Sequence, residues 1–167
     1  MKKMTEENLK NAFAGESQAH IKYLAFADKA QQENWPNVAR LFRANSYSEQ
    51  VHATNHLRTL EGIGKTADNL TAAMGGENFE VTEMYDAYKA VAERQAEKAA
   101  LVAFNAALKA EEVHAGLYKR AKEALAMGKD VEATPIHVCS VCGFTMEGNA
   151  PDKCPVCGTP KEKFVKF

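Results

Sequence analysis

Apolar residues recur every three to four positions through most of the chain, the spacing that lines one face of an α-helix. The first such seam runs Leu9, Ala12, Glu16, Ala19, Tyr23, Phe26, Ala30 and follows a plausible helix start at Thr5-Glu6-Glu7. Trp35-Pro36 interrupts it, with Pro36 suited to the first turn of a second helix. That helix carries Val38, Phe42, Asn45, Glu49, His52 and His56, and stops at Gly62-Ile63-Gly64. Residues 62 to 76 read as a connection long enough to cross a helical bundle. A third seam runs Glu77, Val81, Met84, Tyr88, Val91, and a fourth runs Leu101, Phe104, Leu108, Glu111, Ala115, Tyr118, Leu125, up to Gly128. No proline divides the third from the fourth. One continuous helix of about 50 residues would be about 75 Å long, far beyond what its partners could cover, so a turn is placed near Arg94-Gln95-Ala96.

Composition marks a boundary near Thr134-Pro135. Four of the five prolines and all four cysteines lie after it, while the preceding stretch is rich in the good helix formers Ala, Leu, Glu and Lys. The reading is mainly α: a four-helix bundle over residues 1–134 and a small domain over 135–167, too short to hold itself together without a staple. With 21 basic against 22 acidic residues, the net charge of -1 gives no field for a phosphate backbone, and no basic run marks a nucleic-acid footprint. No stretch is long and apolar enough to span a membrane, and the first residues show no apolar signal region. A cytoplasmic protein is expected, with neither nucleic acid nor membrane as partner.

Each seam carries a glutamate where a core residue belongs: Glu16, Glu49, Glu77 and Glu111. Four converging carboxylates would unfold a bundle unless cations neutralise them, because a buried, unpaired carboxylate costs several kcal/mol. Two belong to Glu-x-x-His pairs, Glu49/His52 and Glu111/His114, whose spacing puts both side chains on one helix face. One such pair alone is usually a solvated surface pair. Two in register with two further glutamates are the ligand pattern of a two-metal carboxylate site, and mixed oxygen and imidazole donors suit iron or manganese. Glu16 lies 33 residues before Glu49 and Glu77 lies 34 before Glu111, so the two helix pairs read as copies, each giving half a site. Glu80 adds a carboxylate in the second copy where Ala19 stands in the first. Glu83 and Glu112 are expected to be solvated, and His20 and His56 to be exposed or to act behind the ligands. Tyr23 and Tyr85 are either core aromatics or donors to the ligating carboxylates.

Cys139-x-x-Cys142-Gly and Cys154-x-x-Cys157-Gly form two knuckles separated by eleven residues, a strong signature of four sulfurs around one metal and the missing staple. Spacing does not separate a zinc ribbon from a one-electron iron centre. A neighbouring two-metal site, which needs an electron supply, favours iron.

With these motifs the chain resembles rubrerythrins, proteins with a ferritin-like di-iron domain followed by a rubredoxin-like domain, over essentially its full length. The resemblance implies that Glu16, Glu49, Glu77, Glu80, Glu111 and His114 hold the two irons, with Glu49 and Glu111 bridging them and His52 replacing Glu80 when the irons are reduced. It also implies that Tyr23 and Tyr85 support the ligating carboxylates and that Cys139, Cys142, Cys154 and Cys157 hold the third iron. Two positions depart from the family: Asp86 and Ala96 stand where a proline and a turn glycine are common. The implied activity is reduction of hydrogen peroxide to water in oxidative-stress defence, with electrons ultimately from NADH through a rubredoxin or a separate reductase. Alternatives are a ferroxidase or iron-storage protein of the ferritin class, and a non-enzymatic module with a structural zinc ribbon. The tail begins some twenty residues after His114, and the helix from His114 to Met127 alone spans about 20 Å. Its linker is expected to fold back only partway, so a head-to-tail homodimer would shorten the electron route, as the resemblance also implies.

Overall fold

The computed structural model covers all 167 residues. The chain forms two compact units, Met1–Gly64 and Lys65–Phe167. In the first, α1 (Lys3–Gln32) packs along α2 (Pro36–Thr59) as an antiparallel hairpin. Small side chains make the close approach possible: Ala27, Ala30, Ala39, Ser46 and Ala53 are the buried ones. Ser46 Oγ donates to the His20 carbonyl at 2.9 Å, and His20 Nδ1 lies 2.9 Å from the Ser46 carbonyl. His20 is therefore a clasp between the two helices. Tyr23, Phe26 and Phe42 form a trio of tilted and edge-on rings with centroids 5.5 to 6.3 Å apart.

In the second unit, α3 (Thr66–Phe79), a π-helical turn (Glu80–Met84) and α4 (Tyr85–Arg94) form one continuous stretch that packs on α5 (Lys98–Ala126). An aromatic trio recurs here: Tyr85, Tyr88 and Phe104, 5.7 to 6.3 Å apart. The two trios show the internal repeat in three dimensions, and the π turn accounts for its one irregularity. Tyr23 follows Glu16 by seven residues, whereas Tyr85 follows Glu77 by eight. A helix accommodates one extra residue without breaking its axis by widening a turn from i→i+4 to i→i+5 bonding. That residue also makes the second glutamate spacing 34 rather than 33.

Both hairpin turns share one geometry. Each helix ends on a residue in the left-handed region, Asn34 (φ 63°) and Ala96 (φ 57°). The next amide then reaches back, Trp35 N–H to the Ala30 carbonyl at 2.8 Å and Glu97 N–H to the Ala92 carbonyl at 2.9 Å. The turn lies where the interrupted seam placed it. The connection from α2 to α3 does not: α3 begins at Thr66, so only residues 60–65 link the helices, in place of the crossing segment expected over 62–76. Ala67, Leu70, Ala72, Ala73 and Met74 are good helix formers that outweigh Gly75 and Gly76.

After α5, residues 127–135 lead into a three-stranded antiparallel sheet, β1 (Ile136–Cys139), β2 (Thr145–Glu147) and β3 (Phe164–Lys166), in the order β2-β1-β3. No helix is long and apolar enough to cross a membrane.

Ala96 carries a Cβ in a conformation that favours glycine by about 1 kcal/mol. Ala96→Gly should therefore raise the melting temperature by about 2 to 4 °C, measured by calorimetry. The same change at Ala92, buried in the last turn of α4 with a helical backbone, should lower it.

Candidate metal centres

Three clusters of metal-ligating side chains form, each with its donor atoms within 4.8 Å of one another. In the first unit, Glu16 from α1 meets Glu49 and His52 from α2, with His52 Nδ1 2.8 Å from Glu49 Oε2. In the second, Glu77 from α3 meets Glu111 and His114 from α5. His114 Nδ1 lies 2.7 Å from Glu111 Oε2 and 3.8 Å from Glu77 Oε1. The two clusters are equivalent in sequence position and in composition, two carboxylates and one imidazole nitrogen each.

Glu80 stands at the start of the π turn, half-buried, and does not belong to the tight triad. Burial raises its carboxyl above the ordinary range, the Glu111 charge adds to this, and His114 opposes it. Glu80 thus faces the same small space. Glu77 is pushed up to about 7, first by burial, then by its hydrogen bond and repulsion with Glu111, then by Glu80. Burial likewise raises the Tyr85 phenol, with the charges of Glu80, Glu111 and Glu77 adding to it, so Tyr85 stays protonated and can donate to this group. Tyr23 is half-buried in its aromatic trio. Glu83 is exposed, and Glu112 is exposed and paired with Lys109.

The other ring nitrogen of His114 leads to a residue that the pattern analysis did not single out. Nε2 lies 2.8 Å from the hydroxyl of Thr145, which is 5% exposed, and that hydroxyl donates to the Gly143 carbonyl at 3.1 Å. Thr145 opens β2, three residues after Cys142, so the four-cysteine tail is bonded to the histidine of its own chain. An Arg120–Glu147 ion pair adds a second tie between α5 and β2. The tail thus returns further along α5 than linker length suggested. A lone threonine after a cysteine knuckle carries no signal that would reveal this in the sequence. A cavity of about 760 Å³ remains between α5, the linker and the sheet, lined by Leu117, Tyr118, Ala121, Val131 and Ile136 among others.

The four cysteines are all free thiols, with Sγ–Sγ distances of 3.7 Å for Cys139–Cys157 and 3.6 Å for Cys142–Cys154. A tetrahedron with metal–sulfur bonds of about 2.3 Å has edges of about 3.8 Å, so the donors already fit one ion. The knuckles match: Gly143 (φ 77°) and Gly158 (φ 73°) turn the chain so that their amides reach the Cys139 and Cys154 carbonyls, each at 2.9 Å. The Thr159 hydroxyl and backbone hold the exposed Cys157 thiol down at about 6, while burial pushes Cys142 up to about 12.

The rubrerythrin domain model matches residues 7–122, and the rubredoxin-like domain model of rubrerythrins matches residues 137–165. The chain belongs to the rubrerythrin family. It is 38% identical to rubrerythrin-2 of Clostridium acetobutylicum, covering 98% of this chain and 97% of that protein. It is 32% identical to nigerythrin of Nitratidesulfovibrio vulgaris, covering 98% and 86%. Among solved structures it is similar to fully reduced, all-ferrous nigerythrin, with TM-score 0.55, 32% identity, and coverage of 98% of this chain and 86% of that one. Its fold class is accordingly ferritin-like helices with a rubredoxin-like tail, and its family is one of iron-binding oxidoreductases. The carboxylate–histidine clusters and the four thiolates are the candidate di-iron and rubredoxin-type sites.

Two outcomes test this geometry. Thr145→Val removes the acceptor for His114 Nε2–H and should speed loss of bundle iron to a chelator by about 10- to 100-fold, with Thr145→Ser restoring retention. In metal-free protein, the raised Glu77 carboxyl gives stability that is full below pH 4.5 and lost as pH rises through about 7. Urea titrations should find Glu77→Gln more stable than the parent at pH 8 and equal to it at pH 4.5.

Proposed function

We propose that this rubrerythrin-family chain is a non-haem di-iron peroxidase that reduces hydrogen peroxide to water, drawing electrons through its four-cysteine iron. The observation that carries the reading is the pair of matched Glu/Glu/His clusters together with the hydrogen-bonded docking of the thiolate site on one of them. On this reading the clusters would pair into one two-metal centre. Glu16, Glu49, Glu77, Glu111 and His114 would hold the two irons, Glu49 and Glu111 being the carboxylates that serve both, and Glu80 and His52 would be its exchangeable ligands. When bound, the two irons would supply the two electrons that cleave the O–O bond, and with two protons from solvent the products are two waters. The chain's part is to hold and to switch. Glu80, on the wider turn and outside the tight triad, is the ligand placed to move. Tyr85 donates to the carboxylates, and Tyr23 is assigned the same task in the other copy.

The donor is a rubredoxin-type protein or an NADH-dependent reductase. Four unpaired thiols suit a reducing compartment, which supports a cytoplasmic location in a homodimeric protein. Alanine at Glu49 or Glu111 should empty the pair while leaving the red tail centre intact, by iron analysis and visible spectroscopy. In stopped flow, all-ferrous protein should be oxidised much faster by hydrogen peroxide than by dioxygen, and His52→Ala should slow the peroxide step. Equal rates with accumulation of a ferric mineral would favour the ferroxidase reading, and a colourless zinc-loaded tail would favour the structural ribbon.

A further inference from the structure

We propose that the β3 side of the tail, where Cys157 meets Lys153, Lys161 and Lys163, is the docking surface for a small acidic protein that carries one electron at a time. This rests on the reading above, in which electrons enter through the four-cysteine site. The two edges of the three-stranded sheet are used unequally. β2 is the edge that packs on α5, tied there through Thr145 and Glu147. β3 is the other edge, and no strand pairs with its outer side. Of the four thiols, Cys157 is the exposed one; Cys139 and Cys154 are buried and Cys142 half-buried. It belongs to the second knuckle, which continues through a 3₁₀ turn (Lys161–Lys163) directly into β3. Electron transfer weakens steeply with distance, so a donor gains most by touching the sulfur that reaches the surface.

Backbone bonds gather lysines about this knuckle. Lys153 precedes Cys154 and pairs with Pro160, and the Lys161 amide donates to the Asp152 carbonyl at 3.0 Å. The Ser140 amide of the first knuckle donates to the Lys163 carbonyl, also at 3.0 Å. These three lysines, and Lys166 on β3, are exposed and form no ion pair. Glu147 is tied to Arg120, so within the tail only Asp152 and Glu162 remain to offset four lysines. Val141, Val165 and Phe167, 63%, 48% and 74% exposed, add apolar area. Four thiolates make a metal-loaded site negative, which by itself repels an acidic partner. The lysine excess reverses this where contact is made. Complementary charge of this kind speeds encounter more than it tightens the complex, which suits a carrier that must leave after one delivery. The electrons balance: each reduced carrier gives up one and departs oxidised, and two deliveries match the two that one peroxide takes in becoming two waters. A small soluble donor finds no seat at the sulfurs, because the cavity of about 760 Å³ beside α5 is lined by none of the four cysteines.

Stopped-flow reduction of the oxidised holoprotein by reduced flavodoxin, a small acidic one-electron carrier, provides the test, with the tail read by bleaching of its visible band. The parent's second-order rate should fall about 10-fold between low and high salt. Combined Lys153→Glu, Lys161→Glu and Lys163→Glu should slow it about 10- to 100-fold at low salt and remove that salt dependence. Lys2→Glu, Lys3→Glu and Lys22→Glu together change the net charge equally on exposed positions of the first unit and should leave the rate within about 2-fold of the parent's. Photoreduced deazariboflavin, small and uncharged, should reduce all three proteins alike, which shows that the tail is intact. A parent rate that ignores salt, or equal rates in the two variants, overturns the proposal and leaves the lysines as guards of a free strand edge. A tail that holds zinc shows no band and refutes the electron-inlet reading instead; flavodoxin binding by calorimetry, and its loss in the tail variant, then decide the docking surface. The expected pattern in protein that consumes no peroxide refutes the peroxidase reading and leaves the docking surface standing.

Discussion

The burial of carboxylates beside one another is the constraint on which the second cluster depends. Glu77, Glu80 and Glu111 crowd one small space with one imidazole beside them, and burial already resists their ionisation. At neutral pH such a group is a poor place to be without a cation, so the affinity for metal and the marginal packing of the surrounding helices are two aspects of one arrangement. Small residues at the α1–α2 contact, an aromatic trio in each helical unit and the His20–Ser46 clasp hold the helices together.

The helical seams picked out the carboxylates that cluster because a glutamate at a core position breaks an otherwise apolar period, and a break repeated four times in register has few explanations. The cysteine knuckles were legible for a similar reason, since spacing alone dictates that two Cys-x-x-Cys turns converge. What pattern could not show was the length of the α2–α3 link. Asn69, Gly75 and Gly76 look like connection, but propensity is a weak prior and the good helix formers around them decide the outcome. The bond from His114 to Thr145 was hidden because it joins residues 31 apart through a fold-back that no local rule specifies. The cause of the unequal repeat was also hidden: 33 against 34 is visible in the sequence, yet only the backbone shows that the extra residue is absorbed in a π turn rather than a loop.

The tail and the helices before it are tied together across the composition boundary near Thr134. Proline and cysteine content separates residues 135–167 from the helices, but Thr145 and Glu147 tie β2 to His114 and Arg120. The compact units divide at Gly64, which keeps the tail in one unit with α3–α5. A one-electron centre is useful only within reach of the site it serves, and the His114–Thr145 hydrogen bond holds the cysteine tail beside the second carboxylate–histidine cluster.

The π turn has a consequence for the history of the site. Two identical hairpins meeting across a two-fold axis would give two identical ions, each with the same donors and the same potential, and nothing to decide which is reduced first or which lets go of a ligand. One inserted residue in one copy is enough to end that equivalence. The widened turn opens on Glu80, where Ala19 occupies the corresponding stretch of the other copy. A duplicated scaffold thereby becomes a polar one, with a rich side and a lean side, at the cost of a single widened helical turn.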